Sequence, residues 1–141
     1  MLKAHSRIED LASLHPSIQI LPKLWDIYVD RADPLMKLLH LPTFWTSLMN
    51  ALRTPQHIPK SLQALIFAFY LATISSLEDD ECQSLLGGPK SIIFTRFKRA
   101  ARQALINAGF LHTSSPTTLR AYAIFIVSHK SRCFVWCLLK I

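Results

Sequence analysis

The sequence predicts an all-α protein: an irregular multi-helix bundle of around seven helices, built round a buried central helix at about residues 61–77. The first observation is the stretch 61–77, SLQALIFAFYLATISSL, which lies between Lys60 and Glu78 and contains no charge. Leu62, Leu65, Ile66 and Phe69 keep helical spacing, while Phe67, Leu71 and Ile74 make the other faces apolar as well. A helix that is apolar all round is buried, either in a protein core or in a membrane. A membrane span needs about 20 apolar residues. This run is shorter and carries Gln63, Thr73, Ser75 and Ser76, so it reads as a core helix. The second observation is the lack of strand signals, since alternation is confined to short runs such as 124–127 and only three glycines are present. The third is composition. Half of the 141 residues are hydrophobic, which excludes a disordered chain and fits one domain with a sizeable core.

In order, residues 8–14 (IEDLASL) suit two turns of amphipathic helix, and His15-Pro16 breaks that pattern because the residue before proline avoids the helical region. Pro22 suits a first helical position. The helix it opens carries Leu24, Trp25 and Tyr28 on one face, with Asp26, Asp30 and Arg31 on the other, and stops before Asp33-Pro34. A short apolar piece, 35–41, is expected to end at Pro42. Thr43 would then cap a helix through Trp45, Leu48, Met49 and Leu52. Residues 54–59 form a loop held by two prolines, and the central helix follows. Glu78, Asp79, Asp80 and Glu81 would oppose the dipole at a helix C-terminus and favour it at an N-terminus, so a new short helix starts near Asp79. Gly87-Gly88-Pro89 closes it.

Ser91 is expected to cap a long helix to about Ala108. Its apolar stripe is Ile93, Phe97, Ala100, Ala101, Ala104, Leu105 and Ala108, and its outer side carries Arg96, Lys98, Arg99 and Arg102. Ser115-Pro116 opens a helix with Leu119, Tyr122, Ala123, Phe125 and Ile126. A last helical run is expected from about Ser131. It holds Phe134, Val135, Trp136, Leu138, Leu139 and Ile141, with Lys140 its one charge after Arg132. That apolar end is a candidate partner interface, since exposed apolar patches mark contact sites.

Charge is unevenly spread. Lys plus Arg number 16 and Asp plus Glu 9, a net of +7. Residues 1–81 hold seven basic and nine acidic residues, whereas residues 82–141 hold nine basic and no acidic ones. Such a basic half suits an anionic partner, or the balancing acids lie in another segment or another protein. Lys90, Arg96, Lys98, Arg99 and Arg102 are the candidate contacts to an anion or nucleic acid. With no base-reading motif beside them, weak non-specific binding is expected, and the plainer alternative is a solvated helix face.

The three cysteines, Cys82, Cys133 and Cys137, form no disulfide framework and suit a reduced, intracellular compartment. The N-terminal MLKAHSRIED has no apolar core of signal-peptide length. His129, Cys133 and Cys137 recur every four residues on one helical face. Three ligands spread over two turns converge poorly and structural zinc takes four, so no metal and no cofactor is expected. No phosphate loop, nucleophile elbow or metalloprotease motif is present, and no catalytic residue is assigned: the chain is not expected to be an enzyme.

His15-Pro16, Leu24-Trp25, Tyr28, Asp33-Pro34-Leu35, Leu39-His40 and Pro42-Thr43 form an ordered set. It continues through Leu65, Phe67, Ala68, Tyr70 and Ala72, then Ser76-Leu77, Glu81-Cys82 and Leu86-Gly87. Phe97-Lys98, Ala104-Leu105, Ala108, Phe110-Leu111, Thr118-Leu119, Ala121, Arg132 and Trp136 complete it. This set resembles the fungal-specific transcription factor domain, the middle homology region of fungal zinc-cluster regulators. The resemblance covers about residues 13–140 and rests on the whole series. It implies a lead-in at 1–12 and a partial regulatory domain at 13–141, truncated relative to the family domain. A nuclear, transcription-linked role through protein contact is implied too, the partner being a full-length related regulator or a second copy. The family's cysteine-rich zinc cluster has no counterpart, because Cys82 is the only cysteine in the first 132 residues. Sequence-specific DNA binding is therefore not carried over. The alternatives are a small membrane-associated helical protein and a non-functional truncated gene product.

Overall fold

Prolines and an acidic cluster set where the helices begin. The computed structural model describes the backbone of residues 11–139 and the side chains of residues 11–34 and 37–128. After a 3-10 turn at Leu11–Leu14 come α1 (Leu21–Ile27), a π-helical turn (Tyr28–Ala32), α2 (Asp33–Met36) and α3 (Leu41–Ala51). A second 3-10 turn, Pro55–His57, leads to α4 (Lys60–Ser75), α5 (Asp79–Leu86), α6 (Lys90–Asn107) and α7 (Pro116–Leu139). Among the described residues there is no strand, and the chain is all-α.

Every residue of α4 from Ala64 to Ile74 is buried. The helix packs chiefly against α6 and α7, and along another side against α1 and the π-helical turn. Small residues permit the close approach: Ala100, Ala101 and Ala104 of α6 and Ala121 of α7 are all buried. A buried helix must also satisfy its polar side chains. Thr73 does so by donating to the Phe69 carbonyl at 2.9 Å, and Ser75 and Ser76 donate to the carbonyls of Ala72 and Thr73. The last carbonyls of α4 receive cations, which suits the negative end of the helix dipole. Lys90 Nζ donates to Ser75 O at 3.0 Å and Arg31 Nη1 to Ser76 O at 3.1 Å.

Arg31 also makes a fork of two 2.8 Å hydrogen bonds to Glu81. Glu81 belongs to a capping box, accepting the Glu78 backbone N–H at 3.0 Å. The guanidinium and that N–H hold the Glu81 carboxyl well below the usual range, at about 2. One arginine thus ties the π-helical turn to the start of α5. Gly87 ends α5 with φ 75°, a left-handed conformation that glycine takes without steric cost.

Four expectations need correction. Ser91 does not cap α6: it lies inside the first turn of that helix, whose N-cap is Pro89. Pro42 does not close the apolar piece 35–41: it sits in the first turn of α3, which already begins at Leu41, where its missing N–H is harmless, and His40 rather than Thr43 is the N-cap. The expected helix at 8–14 is a 3-10 turn at Leu11–Leu14, the residues before it lying outside those described. The expected separate helix from Ser131 is the continuation of α7, since neither proline nor glycine interrupts residues 117–139.

Candidate interaction surfaces

Alternation of buried and exposed positions gives α6 two faces. Ile93, Phe97, Ala100, Ala101, Ala104 and Leu105 are buried, and Arg96, Arg99 and Arg102 are exposed. The five basic residues singled out above do not form one cluster. Lys90 is drawn to the end of α4, whereas Arg96, Arg99 and Arg102 line a groove of about 990 Å³ between α6 and the 3-10 turn at Leu11–Leu14. Lys98 is not part of that lining. Sequence periodicity alone would not separate these residues, because Leu11 and Leu14, which complete the groove, lie some eighty positions away in the chain.

A second surface is apolar. On α7, Leu119, Tyr122 and Ile126 are exposed large hydrophobic residues, at 48, 37 and 36 % of their full accessibility. Their spacing of three and four places them along one stripe of the helix. The Tyr122 ring lies 4.9 Å from that of Phe110, and the neighbouring Leu111 is 74 % exposed. The backbone of α7 continues to Leu139. Side chains of Phe134, Val135, Trp136, Leu138 and Leu139, and all of Ile141, lie outside the described residues, as do the side chains of His129, Cys133 and Cys137.

Two polar features lie at least partly beneath the surface, the first between half-buried His15 and buried Tyr70. His15 Nδ1 and the Tyr70 hydroxyl share a 2.8 Å hydrogen bond, and the imidazole lies 5.0 Å from the Phe67 ring. His15 Nε2 has no partner among the described residues. Burial lowers the His15 pKa to about 4 and pushes the Tyr70 hydroxyl far above its ordinary range. The Tyr28 hydroxyl and Asp33 Oδ1 are also buried without a hydrogen-bond partner among the described residues. Burial, and then the Asp33 charge, raise the Tyr28 pKa. Cys82 is fully buried with its thiol pKa pushed up chiefly by burial, the opposite of what activates a nucleophile. His40 hydrogen-bonds Thr43 Oγ1 at 2.7 Å within the first turn of α3, rather than reaching Asp33. Trp25 and Trp45 pack together with ring centroids 4.9 Å apart. No group of three or more metal-ligating side chains comes together among the described residues, and no helix there is long and apolar enough to cross a membrane.

What the described surface offers is contact, through a cationic groove and an apolar stripe on an all-helical frame. Over most of its length the chain is similar to part of several fungal transcription regulators. It is 34% identical over 119 residues to transcriptional regulator AacuB of Aspergillus aculeatus, covering 84% of this chain and 16% of that protein. It is 36% identical over 119 residues to the pyriculol/pyriculariol biosynthesis cluster transcription factor 1 of Pyricularia oryzae, with the same two shares. Aurofusarin cluster transcription factor aurR2 of Gibberella zeae is 31% identical over 133 residues, or 94% of this chain and 20% of its own length. The chain thus spans between a sixth and a fifth of the length of these curated relatives. No family model matches it, and no solved structure is significantly similar.

That the three exposed arginines attract phosphates is a proposal with a measurable consequence. If Arg96, Arg99 and Arg102 each neutralise one phosphate, raising salt from about 50 to about 200 mM should weaken duplex binding about 40-fold. Titrating random and promoter duplexes at the two salt concentrations checks this. The expected result is weak binding of both, and a preference of about a hundredfold for one sequence would contradict it.

Proposed function

We propose that the chain is a non-enzymatic part of a regulatory domain, built round α4 and acting in fungal transcription control by protein–protein contact in the nucleus. The whole activity of the longer regulators is not carried over, and neither is sequence-specific DNA recognition. The observation that carries the reading is the exposed row Leu119, Tyr122 and Ile126 on α7, in a chain similar to transcription regulators over most of its length. Fully burying one large apolar side chain is worth about 1.5–3 kcal/mol, so covering several in one contact is strongly favoured. In sequence, the helix runs on into Phe134, Val135, Trp136, Leu138 and Leu139, followed by Ile141. These residues are proposed as further contact positions on the strength of their sequence alone. The partner is a related full-length regulator or a second copy of this chain.

Analytical ultracentrifugation of the purified chain tests the reading. Self-association or co-purification with a partner is expected, and it should fall when Trp136 and Leu139 are both replaced by Gln while helical circular dichroism is retained. A stable monomer at tens of micromolar, about the range where exposed apolar surface drives association, would count against it.

A further inference from the structure

The groove beside α6 combines two chemistries. Arg96, Arg99 and Arg102 line it at every third residue of the helix, and Leu11, Leu14 and Ile92 supply apolar wall. Ile92 is 57 % exposed although it is a large hydrophobic residue. None of the three guanidinium groups makes a hydrogen bond or ion pair with a described residue, in contrast to Arg31, which is tied to Glu81. No acidic residue follows Glu81 in the chain, so α6 and α7 carry no carboxylate of their own to answer them.

We propose that this groove is a docking site for an acidic, amphipathic peptide segment of a partner protein. The segment sets its apolar side chains against Leu11, Leu14 and Ile92, and its carboxylates against Arg96, Arg99 and Arg102. Arginine presents a planar fork that matches a carboxylate with two parallel hydrogen bonds. A row of three such forks selects a row of carboxylates. The apolar wall favours a peptide over nucleic acid, because a sugar-phosphate backbone has nothing to bury against leucine and isoleucine. No aromatic side chain lines the groove to stack a base, which single-strand binders require. This site is on a different helix from the apolar row of α7 and does not depend on the function proposed for that row.

The test is fluorescence anisotropy of the full chain with a labelled helical peptide bearing Leu on one face and Glu along its edges. Its counterpart with Gln for Glu and a labelled DNA duplex of random sequence serve as controls. The expected result is binding of the Glu peptide that weakens with salt and falls about tenfold or more in the Arg96→Gln/Arg99→Gln/Arg102→Gln variant. The three side chains are exposed, so that variant should keep the parent melting temperature, and circular dichroism confirms that it is folded. The matching lysine variant should retain part of the affinity, since it keeps charge but loses the fork. Equal binding of the Gln peptide, or equal binding by the Gln variant, would overturn the proposal. So would duplex binding as tight as the peptide and lost with the same arginines, which would make the groove a nucleic-acid site. A tenfold gain in peptide affinity on Glu9→Gln/Asp10→Asn would also overturn it, assigning the groove to the acidic residues just before Leu11 in this chain.

Discussion

Phe69→Ala is expected to cost about 3–5 kcal/mol and to leave the chain at the edge of unfolding, because domains of this kind are stable by only about 5–15 kcal/mol. Phe69 is fully buried in the middle of α4. Its ring lies 5.0 Å from Tyr28, 5.3 Å from Phe44, 5.7 Å from Tyr70 and 5.9 Å from Trp25, which brings α1, the π-helical turn and α3 onto one side chain. Truncation removes the transfer energy of the ring and leaves a cavity walled by aromatic groups that cannot close independently, since Trp25 also packs on Trp45 and Phe44. Leu119→Ala, at an exposed position of α7, should change stability by no more than about 0.5 kcal/mol. Urea titrations of both variants against the parent decide this, and equal midpoints for Phe69→Ala and Leu119→Ala would show that α4 is not where the stability resides.

What was legible in the sequence follows from which signals are local. The all-α class came from helical periodicity and the scarcity of strand patterns. The short helix at Asp79–Leu86 was legible because its start and stop are written in adjacent residues: the acids at its N-terminus and Gly87 after it. Pro116 opened α7 for the same reason. Pro42 misled because proline both stops and starts helices, and only the residues beyond it decide which. The π-helical turn at Tyr28–Ala32 was invisible. A π turn inserts one residue into the helical spacing, and the apolar pattern of Trp25, Tyr28 and Ala32 tolerates either count. The basic face of α6 was legible as a stripe, yet its division was not. Lys90 is drawn away by a carbonyl at the end of α4, and Leu11 and Leu14 are brought to the arginines by tertiary packing alone. The His15–Tyr70 pair joins residues 55 apart in sequence and has no local signature.

That pair carries the second large effect, an acid-dependent loss of stability. His15 has an ordinary pKa of 6.5 and a folded value of about 4, lowered by burial. The unfolded chain therefore takes up a proton near 6.5 that the folded chain refuses until about 4. Neutral His15 is compatible with the fold, and protonation favours the unfolded state. Its contribution is fully present above pH 6.5, falls as pH drops from 6.5 to 4, and is flat below that. After discounting for the partial exposure of the ring, the loss across this window should be on the order of 2–3 kcal/mol. The Arg31–Glu81 pair is lost at lower pH, because Glu81 titrates at about 2 when folded against 4.5 ordinarily. An exposed pair of this kind is worth no more than about 1 kcal/mol. The two windows are thus separable. His15→Gln keeps a side chain able to hydrogen-bond the Tyr70 hydroxyl and carries no titrating group, so it should flatten the dependence between pH 6.5 and 4. His15→Leu removes the titration too, but leaves the Tyr70 hydroxyl buried without its partner, at a cost of about 1–3 kcal/mol at every pH. Chemical denaturation of the three proteins at pH 7, 5.5 and 4 separates these effects. If the parent and His15→Gln lost stability in parallel across that range, the half-buried imidazole would not be the acid-sensitive group.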